Sequence, residues 1–388
     1  MIRPTVATVS LDAIQANCRA IHRLLQRDAE PPGPPGDPRR HASGTPKIIA
    51  VVKANAYGHG AARVGVALEG AGAAMLACAD IEEGILLREA GVTIPILVFG
   101  ALSVSDLAGV FAHRLTPTVS TPGAARALEA AAARHGTRLA CHLKVDTGMN
   151  RLGFRHDNLR RTMADVLASP HLEFDAVYTH FATADQPESA FLDEQRARFD
   201  RAAAALAAQG LRGVKRHAAN SAALLRDRRT WYDWVRPGLL LYGIVPPPLA
   251  AADLALGPAL SLTSRIVAVK GIRTGEAIGY GLRWTADSPR TIAIVPAGYA
   301  DGLDTRLGGR GSVLVREHRV PIVGAVSMDM ISIDVTGLDV SPGDEVVLIG
   351  RQGDQEISAR EVAGTIGTIP WEVVCRLGAR IERRYGST

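Results

Sequence analysis

Lysine is scarce in this chain, and the few places it occupies narrow the chemistry at once. Only Lys47, Lys53, Lys144, Lys215 and Lys270 occur among the 388 residues. Lys53 follows the apolar run IIAVV and precedes ANAYGHG, where Gly58 and Gly60 let the backbone turn tightly into the next helix. A lysine leaving a dry strand end loses hydration, which disfavours its charged form and makes its amine competent to form an imine. Other apolar runs also end in polar residues. LKVDTGMNRLG carries Lys144, Asp146 and Arg151, VYTHFATAD carries His180 and Asp185, RHAANSAA carries His217, Asn220 and Ser221, and WVRPG carries Arg236, Pro237 and Gly238. Singly, each has a plainer reading, a lysine reaching solvent or a histidine satisfied in a core. Together they surround one mouth with an amine, cations, hydroxyls and glycine amides, which suits an anionic, phosphate-bearing cofactor held through an imine.

Such residues converge only if a scaffold gathers strand ends. From residue 10 to 245 the runs KIIAVV, AAMLACA, IPILVFG, LTPTVS, LACHLKVD, FDAVYTH, GVKRHA and WVRPGLLLYG alternate with stretches such as IEEGILLREAG and PGAARALEAAAARHG. The latter are apolar at i, i+3, i+4 spacing, and several close on glycine. Eight strands alternating with helices predict a (β/α)8 TIM-type barrel over 1–245, in which chemistry sits at the C-terminal strand ends. The first ten residues are expected to be able to pack with the second domain. After the proline-rich junction IVPPPLAA, strands punctuated by Gly, Pro and Asp-Gly turns predict a mainly antiparallel β-domain over 250–388. The Pro/Gly/Arg segment 27–46 reads as a mobile surface loop without a functional role.

Composition removes other classes. With 47% hydrophobic and 21% charged residues the chain can bury a large core. The net charge of +5 is spread along the sequence apart from a basic C-terminal stretch, so no clustered footprint for nucleic acid is expected. The four cysteines, Cys18, Cys78, Cys141 and Cys375, show neither a CxxC pair nor metal-ligand spacing, so reduced thiols and no metal are expected. No signal segment or membrane-length apolar run occurs, and a cytoplasmic location is expected.

The motifs also carry a family resemblance. AVVKANAYGHG resembles the pyridoxal-phosphate attachment signature of alanine racemases, and KVDTGMNRLG, THFATAD, ANSAA, RPGLLLYG, GYGLRWTA, PAGYADG and SMDMISID are similar to that family's further motifs, in the same order. The resemblance implies interconversion of L- and D-alanine by two-base Cα proton transfer, supplying D-alanine for peptidoglycan. It further implies that Lys53 holds pyridoxal 5'-phosphate and acts as one base, and that Tyr280 is the opposite base. Tyr57, Ser221 and the amides of Gly238 and Leu239 would cradle the phosphate, with Asn220 shaping that cradle. Arg236 would face the pyridine nitrogen, and Arg151 would position the phenolic oxygen and the substrate carboxylate. Lys144, carbamoylated in many members, would orient Arg151, and Met328 and Asp329 would lie beside Tyr280. His180 and His217 would be hydrogen-bond partners near Tyr280 and Arg236, and His59 structural. A homodimer with shared active sites is implied. Where many members carry a tyrosine after the cysteine of their final motif, this chain has Ala379. The alternatives are a broad-spectrum or basic-amino-acid racemase, a decarboxylase of the same two-domain fold, or a non-catalytic pyridoxal-phosphate carrier.

Overall fold

A computed structural model describes residues 4–27, 44–102, 106–251 and 254–386. The segment expected to form a mobile loop lies for the most part outside the described residues.

Eight parallel strands close a ring: Lys47–Val51, Met75–Cys78, Ile96–Val98, Thr116–Val119, Leu139–Asp146, Leu172–Tyr178, Lys215–Asn220 and Trp234–Arg236. The last pairs with the first through Trp234 opposite Lys47, and the fourth meets the fifth through Thr118 opposite His142. Each expected apolar run supplies one of these strands. The helices between them form where local signals agree. Pro122–Arg134 starts at Thr121, whose hydroxyl accepts from the Ala124 amide at 3.0 Å, places Pro122 in its first turn, and buries Leu128 and alanines against the barrel.

The ring's interior is divided. Ile49, Val51, Met75, Ala77 and Leu97 fill one arc with Phe99 and Trp234 beside them. On the other arc Thr118, Ser120, His142, Lys144, His217 and Arg236 are buried although polar. Burying such groups costs free energy unless they bond one another. Within this arc, which lies under the mouth, His142, His217 and Arg236 bond in a chain and Thr118 bonds Tyr178, while Ser120 Oγ finds no partner among the described residues.

The second domain is a sheet in the order 268–272, 290–295, 331–334, 318–323, 312–315, 345–352, 260–265, 6–9, 382–385. All neighbours run antiparallel except Val6–Val9 and Glu382–Tyr385, which are parallel. The N-terminal strand thus belongs to the β-domain sheet, and the helix Leu11–Arg27 carries the chain from it to the barrel. The C-terminal stretch 370–385 runs back over the mouth.

Candidate active site

Lys53 begins an unusual turn. Ala54, Asn55, Ala56 and Tyr57 have φ of 53°, 53°, 54° and 52°, one turn of left-handed helix made without glycine. L-residues pay roughly 1–2 kcal/mol each for this conformation, so the surroundings must impose it. Gly60 donates its amide to Asn55 O at 2.9 Å, and Asn55 Oδ1 accepts from the Ala61 amide at 2.8 Å. His59, fully buried, places Nδ1 at 2.8 Å from Tyr57 O and 3.1 Å from Ala56 O. Burial pushes that imidazole down to about 4, so it stays neutral and donates. From the β-domain, Arg383 Nε donates to Gly58 O at 2.9 Å.

The turn opens onto a cavity of about 580 Å³ at the C-terminal ends of the barrel strands. Lys53, Tyr57, Lys144, Arg151, His180, Asn220, Ser221, Arg236, Gly238 and Leu239 all line it. So do Phe99, Tyr178, Asp185 and Pro246 from the barrel, with Trp371 and Cys375 from the C-terminal stretch. Four cations thus face a space whose lining includes a single carboxylate, Asp185. Lys53 reaches open cavity, but the protein packed around it still dominates its amine. Burial lowers its pKa first and the Arg151 charge second, against raising contributions from Cys375 and Glu83. Lys144 is buried and pushed down to about 8 by burial, then by Arg151 and Arg236. Arg151 makes no hydrogen bond or ion pair within the described residues, so its guanidinium is available to an anion.

Arg236 is held on several sides. Its Nη1 meets His217 Nδ1 at 2.8 Å, and its Nη2 donates to Thr179 O at 2.7 Å and Ala218 O at 2.9 Å, with His180 Nδ1 at 3.4 Å. The guanidinium carbon lies 5.2 Å from the Tyr178 ring centroid, and that hydroxyl bonds Thr118 Oγ1 at 3.0 Å. Among the described residues no carboxylate bonds it. Burial pushes Arg236 down to about 10, so it remains charged at neutral pH. That fixes the histidines behind it. His217 must accept at Nδ1, so its proton sits on Nε2 and points to His142 Nδ1, 3.0 Å away. Burial and the Arg236 charge hold both rings neutral.

Tyr57, Asn220, Ser221 and Gly238 bring further polar groups to the lining. Ser221 Oγ accepts from the Gly238 amide at 2.9 Å. A Cβ at Gly238 would stand 2.5 Å from Tyr57 Oη, so glycine alone lets the hydroxyl approach the backbone. Asn220 caps the helix Ser221–Arg226 by accepting from the Ala223 amide at 2.9 Å, a scaffold role for that side chain.

Three expected residues are not gathered here. Tyr280, Met328 and Asp329 stand on the β-domain surface, Tyr280 76% exposed and Met328 52%. Asp329 pairs with Arg380 at 2.9 Å. The expected place of His180 near Tyr280 is accordingly not found within one chain, and His180 lies beside Arg236 alone. Ala379 is exposed and outside the cavity lining, where Trp371 and Cys375 supply that wall instead. Sequence reading overlooked His142 and Tyr178. Each sits two residues before a chosen one, Lys144 and His180, and strand alternation puts it on the same inward face.

A lysine at a barrel strand end, set among three further cations and roofed by a β-domain, defines a two-domain (β/α)8 enzyme built for an anionic ligand. Family models describe it further: alanine racemase, N-terminal domain, matches residues 38–246, and alanine racemase, C-terminal domain, matches 259–385. The chain belongs to the alanine racemase family. It is 41% identical over 386 residues to the alanine racemase of Symbiobacterium thermophilum, covering 99% of this chain and 98% of the relative. The alanine racemase of Bacillus anthracis with bound L-Ala-P superposes with TM-score 0.89 at 36% identity, covering 100% of this chain and 96% of that one. That of Bartonella henselae with covalently bound pyridoxal phosphate superposes with TM-score 0.84 at 28% identity and 99% coverage of both chains.

Proposed function

We propose that this chain interconverts L- and D-alanine with pyridoxal 5'-phosphate held on Lys53, in a cytoplasmic homodimer that supplies D-alanine for peptidoglycan. The observation that carries the reading is Lys53 itself, an amine of lowered pKa opening on a cavity lined by Arg151, unpaired among the described residues, and by Tyr57, Ser221 and Gly238. These features fit an anionic pyridine cofactor. Bound there, the cofactor would withdraw electrons from the Cα–H bond of an attached amino acid and make that proton labile.

The protein's own groups do the rest. Tyr57 Oη, Ser221 Oγ and the amide of Leu239 would hold the phosphate oxygens, while the Gly238 amide, which donates to Ser221 Oγ, orients that hydroxyl instead of meeting the phosphate as the family resemblance implied. Arg151 holds the substrate carboxylate and the phenolic oxygen. Lys144, with a share of neutral amine at neutral pH, is able to take up carbon dioxide, and the resulting carbamate would set a negative charge beside Arg151. Arg236 meets the ring nitrogen as a donor and cannot accept its proton. That restrains electron withdrawal and favours prompt return of a proton to Cα. Lys53 Nζ exchanges that proton on one face. The phenol of Tyr280 serves the other face, and because it is exposed on the β-domain it reaches a site across a two-fold axis. Two bases on opposite faces let each deliver to the face it occupies.

Chiral chromatography of purified protein incubated with a panel of L-amino acids tests this reading. D-alanine should dominate the products. A larger yield of D-lysine or D-arginine, or carbon dioxide release, would favour a basic-amino-acid racemase or a decarboxylase instead.

A further inference from the structure

The helix Ile81–Glu89 opens on Asp80-Ile81-Glu82-Glu83, the spacing of a capping box. In that motif the acidic residue at the third helical position returns its carboxylate to the amide of the capping residue. Half of the box is made, since Asp80 Oδ1 accepts from the Glu83 amide at 2.9 Å. The other half is diverted. Glu83 Oε2 accepts from the amide of Ala79, one residue before the cap, at 2.7 Å. Glu83 Oε1 crosses to the neighbouring strand end and accepts from the amide of Ala54 at 2.6 Å. Ala54 directly follows Lys53 and is the first positive-φ residue of the left-handed turn.

We propose that Glu83 is the positioning residue for Lys53, its carboxylate fastening the peptide that leaves the lysine to the end of the second barrel strand. The proposal rests on the reading of Lys53 as the cofactor-bearing lysine. Its physical basis is the cost of the turn. A left-handed run of four L-residues relaxes toward ordinary conformations unless its ends are held, and rotation of the peptide after Lys53 would redirect the amine. Glycine neighbours and Arg383 hold the far end at Gly58–Gly60, while Glu83 holds the near end. A carboxylate suits the task because both backbone groups are donors and only an acceptor with two oxygens meets both. Glutamine would turn an N–H toward one of them.

The same group contributes charge. The ionisable neighbours of Lys53 among the described residues include Arg151, Lys144 and the neutral His180 across the mouth, Cys375 from the C-terminal stretch, and Glu83. Burial and then Arg151 disfavour the protonated amine, and Cys375 and Glu83 favour it. Removing Glu83 therefore shifts Lys53 further toward the neutral form.

The test uses the full chain of wild type, Glu83→Gln and Glu83→Ala, the glutamine variant being the one that keeps the shape should alanine fail to fold. Hydrogen exchange at the Ala54 amide is measured on the apoprotein. The rate at which pyridoxal phosphate reloads, trapped by borohydride and mapped by mass spectrometry, is then followed against pH. The expected result is faster Ala54 exchange, a reloading midpoint at lower pH, and a cofactor dissociation constant raised about tenfold, the loss of one charge-assisted hydrogen bond. Wild-type exchange and midpoint in the variants would overturn the proposal. So would faster exchange with an unmoved midpoint, which would leave Glu83 as a fold contact only. Failure of wild type to load on Lys53 would refute the cofactor reading, while the exchange comparison still decides whether Glu83 holds the turn.

Discussion

Arg236 is a cation sealed in a barrel with neutral partners, and under the proposed function this would limit what the site can do with a pyridine ring. Replacing it by glutamate would put an acceptor where the proposed reading would place the ring nitrogen, which would let that nitrogen hold a proton and strengthen electron withdrawal. Arg236→Glu should lower racemisation and raise the share of pyruvate released per D-alanine formed, measured by coupled assay. An unchanged ratio would contradict the role given to Arg236. Lys144 offers a test by linkage. Its folded-state pKa of about 8 lies below the value of about 10.4 for a free lysine, so between these the unfolded chain binds more protons than the native one. Stability from this group therefore rises with pH across that window. In buffer free of carbon dioxide, wild-type apoprotein should gain thermal stability from pH 8 toward 10 relative to Lys144→Met, and parallel melting curves would reject the depressed value. The residue types at these positions were legible in the sequence, because polar residues ending apolar runs are conspicuous. Their partners were not, since the bonds from Arg236 to His217 and on to His142 join strands far apart in the chain.

At the scale of elements, the turn after the first barrel strand is where local preference and tertiary demand part. AYGHG announced a tight turn, but nothing in ANAY specifies left-handed backbone, which three of these four residues adopt only under constraint. The constraint comes from the C-terminal stretch as well as from the barrel. A Cβ at Gly58, whose φ is +82°, would stand 2.1 Å from Val374 O. Gly58→Ala should therefore lower unfolding free energy by at least about 2 kcal/mol in urea titration. It should weaken cofactor binding in parallel by pushing the turn off the β-domain. A variant of wild-type stability would mean that the turn has more room than its backbone geometry allows. The strands and helices were readable because hydrophobic period and capping signals agree with the fold, as at Thr121–Pro122. The N-terminal strand was harder, because Val6–Val9 finds both its partners more than 250 residues away.

The molecule as a whole presents a site lacking one expected base. Tyr280, Leu282, Met328 and Met330 are all exposed on the β-domain, large apolar side chains of the kind an interface covers. If a second copy covers them, each cavity receives Tyr280 from its neighbour. Lys53→Ala and Tyr280→Phe, each inactive alone, should then recover activity when mixed under conditions that exchange subunits. About half the dimers would be hybrids with one intact site, giving roughly a quarter of wild-type activity. Proven exchange without recovery would mean that both bases come from one chain.

The sequence alone determined the barrel, the β-domain, the strand-end position of Lys53 and the family, because these follow from periodicity, turn residues and ordered motifs that lie along the chain. Tertiary structure alone decided which way the turn at Lys53 winds, which neutral rings stand behind Arg236, and that Tyr280 is exposed on the β-domain surface. Each of these depends on groups brought together from distant positions. Burial and mutual geometry, absent from any linear pattern, set their charge and their reach.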